Sequence, residues 1–125
     1  MSEIVSTQED FDRYQAHAKW WVNKLNLSNM MPAFAFEKID SDAEVLINWG
    51  ERLLLFRLST QREGLMSIPA LAQHEALEGL LGGLTVELEQ YLSAPMVLEL
   101  THDVIHRLQA ALLIPSDEEV GYKKK

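Results

Sequence analysis

Cysteine is absent from this chain of 125 residues. That excludes a disulfide framework, a cysteine-ligated zinc knuckle and a thiol nucleophile, and it leaves any metal to histidine, carboxylates and water. Basic residues are scarce: eleven Lys and Arg stand against nineteen Asp and Glu, a formal net charge of −8. Neutralising phosphates takes a basic face, so this balance argues against a general nucleic-acid binder. No run is long and apolar enough to cross a bilayer, which takes about 20 residues. The opening Met1-Ser2-Glu3 lacks the basic and apolar regions of a secretory signal, so the cytoplasm is the expected compartment.

What the chain does have is a 47% apolar content, enough to build a core. Its length suits one domain. The expected organisation is a single α+β domain over residues 1–115, with a mobile, charged tail over 116–125 that ends in Lys123-Lys124-Lys125. Thr7, with Asp10 three residues on, is a helix cap. From there to about Leu25 the residues Phe11, Tyr14, Ala18, Trp21, Val22 and Leu25 form one apolar stripe of an amphipathic helix. His17 lies on a mixed face of that helix and reads as structural or solvated.

The periodicity then changes. Residues 33–39, 43–49 and 52–58 read as strands, with Asp40-Ser41-Asp42 and Gly50-Glu51 as turns. Ala43, Val45, Ile47 and Trp49 share one face of the second strand, and Leu54, Phe56 and Leu58 one face of the third. Strands in this order predict a small antiparallel three-stranded meander. Two C-terminal helices follow. Ser67-Ile68-Pro69 opens one that runs to about Tyr91, and Ser93-Ala94-Pro95 opens another that runs to about Leu113. Gly79, Gly82 and Gly83 lie inside the first of these, each costing about 1 kcal/mol against alanine. They predict either close packing against a neighbour or a weakened helix.

Three of the four histidines fall in the last two helices. In His74-Glu75-Ala76-Leu77-Glu78, positions 74 and 78 are i and i+4, one above the other on one face. That is how a helix offers two donors to one ion. Glu75 lies one position round, where it could address a water on that ion. The zinc-peptidase pattern H-E-x-x-H works in this way, and a carboxylate in place of the second imidazole can still ligate zinc. The last helix repeats the spacing with His102 and His106, and Glu99 precedes His102 by three. Spacing alone equally fits a solvated helix face. In an antiparallel hairpin turning at Leu92–Ala94, His74 and His102 are expected to be staggered by several turns, unless a kink at the glycines or a crossing of the helices corrects it.

The order of these pieces is a broader pattern. Trp20-Trp21-Val22 lies in the first helix, and Trp49-Gly50-Glu51 at a hairpin. Ile68-Pro69-Ala70-Leu71-Ala72-Gln73-His74-Glu75-Ala76-Leu77-Glu78-Gly79-Leu80-Leu81 follows, and then Thr101-His102-Asp103-Val104-Ile105-His106-Arg107-Leu108. The chain resembles the small, mostly phage-encoded zinc metallopeptidase-like proteins, which have a minimal gluzincin-like core. The resemblance runs loosely from about Phe11 to Leu112, and its specific part is the two helical motifs. It implies zinc as cofactor, His74 as a ligand, Glu75 as general base, and His102 as a ligand or orienter. Glu78 stands where the family has its second histidine, and Thr101 where it has an acidic residue. The implied metal set is therefore His74, Glu78 and His102, with Glu99 and His106 as additional candidates. The implied activity is that of a zinc-dependent hydrolase with a divergent or lost active site, in the host cytoplasm if phage-encoded.

A different class of function also fits. Small size and acidity suit a non-enzymatic interaction protein, a phage-encoded inhibitor or adaptor of a host protein. Its candidate surface carries Glu9, Asp10, Asp12, Glu37, Asp40, Asp42 and Glu44, residues that equally serve as a solvated face.

Overall fold

A computed structural model of the chain describes residues 3–27 and 29–123. It is α+β, with three helices and two small sheets. Strand β1 (Ile4–Val5) leads into helix α1 (Gln8–Lys24). The Thr7 hydroxyl accepts from the Asp10 backbone N–H at 3.0 Å, and the Asp10 carboxylate accepts from the Thr7 N–H at 2.9 Å. The capping box is thus complete, and two otherwise orphaned amides are satisfied. The helix stops where Asn26 takes a left-handed conformation, φ 60°.

Strands β2 (Met31–Phe36), β3 (Ala43–Asn48) and β4 (Leu53–Leu58) form a mixed sheet in the order β2-β4-β3. This corrects the expected antiparallel meander. Strand β3 pairs antiparallel with β4, but β2 pairs with β4 in parallel. The reason lies in the link between β2 and β3. Strand β2 ends at Phe36, so Glu37, Lys38 and Ile39 join the turn residues in a connection over 37–42. Phe36 and Ala43 both stand opposite Leu58, one on each side of β4. The connection therefore passes over the end of β4 and spans two strand spacings, about 10 Å. Ser59 and Thr60 fasten it there, donating their N–H groups to the carbonyls of Asp42 and Glu37. The strand that takes the centre is the most apolar of the three: Leu54, Phe56 and Leu58 are each at most 1% exposed. A second sheet pairs β1 with β5 (Gln61–Arg62).

Helix α2 (Ile68–Leu88) and helix α3 (Ala94–Ala111) complete the domain. Their serine caps form as expected, with the Ala70 and Met96 amides donating to Ser67 and Ser93 at 3.3 Å each. The core is built by Tyr14, Ala18, Trp21 and Val22 of α1, the inward face of β4, and Leu71, Ala72 and Ala76 of α2. Of the three helical glycines only Gly82 is crowded: a Cβ there would overlap the Ile47 side chain. Helix α3 buries Val97 and Ile105. The charged run expected as a mobile tail folds back in its described part: the Asp117 carboxylate accepts from Arg13 and from His17, each at 2.8 Å. His17 is accordingly a buried residue of α1, not a solvated one. No helix among the described residues is long and apolar enough to cross a membrane.

Candidate metal centre

Helix α2 carries His74, Glu75 and Glu78 on successive positions round its axis, and α3 carries His102, His106 and Gln109 opposite them. The expected stagger between His74 and His102 is shortened to six residues, about 9 Å, by the place where the helices turn, and Glu78 bridges what remains. Helix α2 ends at Leu88 rather than Tyr91, so the hairpin centres near residue 91. Glu78 lies thirteen residues before that centre and His102 eleven after it. The offset of two residues is about 3 Å along the axis.

Glu78 therefore sits between the two imidazoles. Its Oε1 is 3.4 Å from His74 Nε2 and 3.3 Å from His102 Nε2. One donor atom from each of His74, Glu78 and His102 lies within 4.8 Å of the others, so this group could hold a metal ion. The side chains are 13%, 28% and 44% exposed, graded from the core outward. His106 lies beside them, its ring centroid 6.3 Å from that of His74 and 6.5 Å from that of His102. Glu99 is exposed and stands outside the three-donor group. Thr101 turns its hydroxyl to the Val97 carbonyl at 2.7 Å.

Two glutamines that the sequence reading did not single out hold the centre in place. The Nδ1–H of His74 donates to Gln109 Oε1 at 3.2 Å, which directs Nε2 toward Glu78. Gln109 Nε2 donates in turn to Gln73 Oε1 and to the Ala70 carbonyl, both at 3.4 Å, and Gln73 Nε2 donates to the Leu112 carbonyl at 3.5 Å. Gln73 is wholly buried. Such outer partners fix a ligand's tautomer and ring orientation. The one sequence signal for them is position: Gln73 adjoins His74, and Gln109 lies one turn beyond His106.

The charges follow from this packing. The hydrogen bond to Glu78 is the largest influence on His74 and raises its pKa, outweighing the burial that lowers it. Burial alone would raise Glu78, but its hydrogen bonds with His74 and Glu75 and the charges of His74 and His102 prevail and lower it. Glu75 behaves in the opposite way. It is 4% exposed and is pushed up to about 10, by burial first and by the Glu78 carboxylate second. It is therefore a neutral acid at pH 7, sharing a proton with Glu78. It also accepts the backbone N–H of Val45, a residue of the edge strand β3. Burial and the same two carboxylates raise the Tyr14 hydroxyl well above its ordinary value.

Two clefts flank the centre. One of about 410 Å³ is lined by His74 and Glu75 with Lys38, Asp40 and Arg62. The other, of about 220 Å³, is lined by Glu78 and His102 with Val45 and Ile47. The acidic residues expected to form a docking face are largely engaged elsewhere. Glu37 and Glu44 pair with Arg57, Asp10 with Arg62, and Asp42 accepts the Glu63 and Gly64 amides. Comparison of the chain with protein-family models, with curated proteins and with solved structures finds no match.

Proposed function

We propose that the protein is a zinc-binding protein of metallopeptidase-like build, its metal held by His74, Glu78 and His102 and its hydrolytic centre divergent. The observation that carries this reading is the meeting of three donors from two helices within 4.8 Å. Two imidazoles and a carboxylate form a borderline-soft set that suits zinc better than calcium or magnesium, which prefer oxygen ligands alone. The glutamine chain behind His74 supports it, because a ligand held in one tautomer is ready to bind.

When bound, zinc supplies Lewis-acid character, and a carboxylate ligand in place of an imidazole weakens it. The chain's own residues then decide whether hydrolysis follows. A general base must reach the proton it removes. Glu75, the residue in that position of the motif, directs its carboxyl at Glu78 and Val45 and holds its own proton at pH 7. That arrangement supports a retained metal site with weak or lost hydrolysis. The phage-encoded family that the motifs resemble would place it in a host cytoplasm.

The test is metal analysis of protein purified without chelator. One zinc per chain in the wild type, lost in His74→Ala, is the expected result. A wild-type chain that neither carries zinc nor takes it up when supplied overturns the reading.

One observation favours the second reading, an interaction protein that binds a host partner. Leu84 and Val86 of α2 and Leu98, Leu100 and Val104 of α3 are all more than 40% exposed. Leu100 and Val104, one turn apart on α3, present exposed apolar surface on one face of that helix, of the kind that marks binding faces. Charged substitutions at Leu100 and Val104 would abolish capture of such a partner and leave zinc content unchanged.

A further inference from the structure

His106 has no partner in the protein commensurate with its position. Among the described residues it makes no hydrogen bond and no ion pair, whereas His74 and His102 both face Glu78 and His74 also holds Gln109. Its ring nevertheless lies at the centre's margin. The ring centroids of His74, His102 and His106 are separated by 6.1, 6.3 and 6.5 Å, a nearly equilateral triangle. The middle of that triangle is about 3.6 Å from each centroid. A zinc–nitrogen bond of about 2.1 Å, extended by the imidazole's radius, needs about 3.2 Å. A tetrahedral ion lies out of that plane and sets the centroids about 5.2 Å apart, so each pair of rings has to close by about 1 Å through side-chain rotation.

The spacing helps in the same direction. His102 and His106 are one helical turn apart, and because their rings lie nearly parallel, 9° between planes, the His106 ring has to turn to bring a nitrogen to an ion shared with His102. His106 is exposed, so its side chain is free to rotate toward the other two.

Resting on the reading of His74, Glu78 and His102 as ligands, we propose that His106 is the fourth protein donor and closes the shell with three imidazoles and one carboxylate. Four protein donors are the mark of a structural or storage site, because a catalytic zinc keeps a position open. The ligand is a tetrahedral transition-metal ion, and the chain's function at this centre is to hold it.

The test is zinc-edge X-ray absorption of the full chain, which counts imidazoles per metal, together with zinc affinity by chelator competition. The wild type is expected to show three imidazoles per zinc. His106→Ala, a surface change that leaves the helix intact by circular dichroism, is expected to show two and to bind zinc more than about tenfold more weakly. Two imidazoles in both proteins, at equal affinity, overturns the role of His106 and leaves the three-ligand centre standing. No zinc in the wild type overturns that centre, and the fourth ligand with it.

Discussion

Replacing Glu75 by glutamine is expected to stabilise the metal-free protein at neutral pH. Glu75 is 4% exposed, so solvent does little to screen it, and its carboxyl is held far above its ordinary value of 4.5. The sign follows from linkage. An acid whose folded-state pKa is raised binds a proton on folding, so its burden is absent below the unfolded value. The burden then grows as pH rises, until the folded value is reached. Between pH 4.5 and pH 7 the folded state keeps a proton that the unfolded chain has released. Each unit costs about 1.4 kcal/mol, so the sum at pH 7 is about 3 kcal/mol. Its size depends on the unfolded value and on Glu75 remaining protonated at pH 7, not on how high the folded value lies. Glutamine is neutral at every pH, matches the shape, and keeps both a donor for Glu78 and an acceptor for the Val45 amide. The assay is urea unfolding of wild type and Glu75→Gln at pH 5 and pH 7, with chelator present. Wild type is expected to lose about 2.5 kcal/mol relative to the variant across that interval, with equal urea dependence of the free energy. Parallel curves for the two proteins would refute the picture of a buried, protonated Glu75.

Three further outcomes are expected. Gly83→Ala should raise stability by about 0.5–1 kcal/mol, measured by the same unfolding curves, because a Cβ there meets Trp49 at an ordinary 3.5 Å and the helix gains propensity. Ile105→Ala removes a wholly buried anchor of α3 and should cost about 3 kcal/mol; zinc affinity should fall with it, since α3 carries His102. Asp117→Asn should lower the melting temperature at pH 7 and leave it unchanged in acid. The Arg13 guanidinium, then His17, holds Asp117 below its ordinary 3.8, so the contact stabilises above that value and its contribution is lost as pH falls through the folded one.

The helices were legible because their signals are local. Thr7, Ser67 and Ser93 each satisfy amides within three residues, and Pro69 and Pro95 fit a first turn whatever the rest of the chain does. Strand positions were readable from alternation, with errors of up to three residues at their ends. The order of the strands was not, because pairing beside a sequence neighbour is a tendency that a crossing connection overrides. The pairing of β1 with β5 was hidden for a related reason: two residues on each side give no period to detect. At the centre, the i and i+4 spacings of His74 with Glu78 and of His102 with His106 were plain. Whether the two pairs met depended on the last turn of α2, where Glu89, Gln90 and Tyr91 leave the helix without a capping signal strong enough to read.

By itself the sequence determined what any site here must be made from. With no thiols, donors had to be imidazoles and carboxylates, and helical periodicity put them on two faces in fixed pairs. Only the tertiary structure decided that these faces meet, that Gln109 and Gln73 steer His74, and that Glu75 points inward to Glu78 and the edge of β3. Contacts between residues far apart in the chain depend on how helices and strands are placed against one another. That placement is set by the packing of the whole core, which no local window of residues contains.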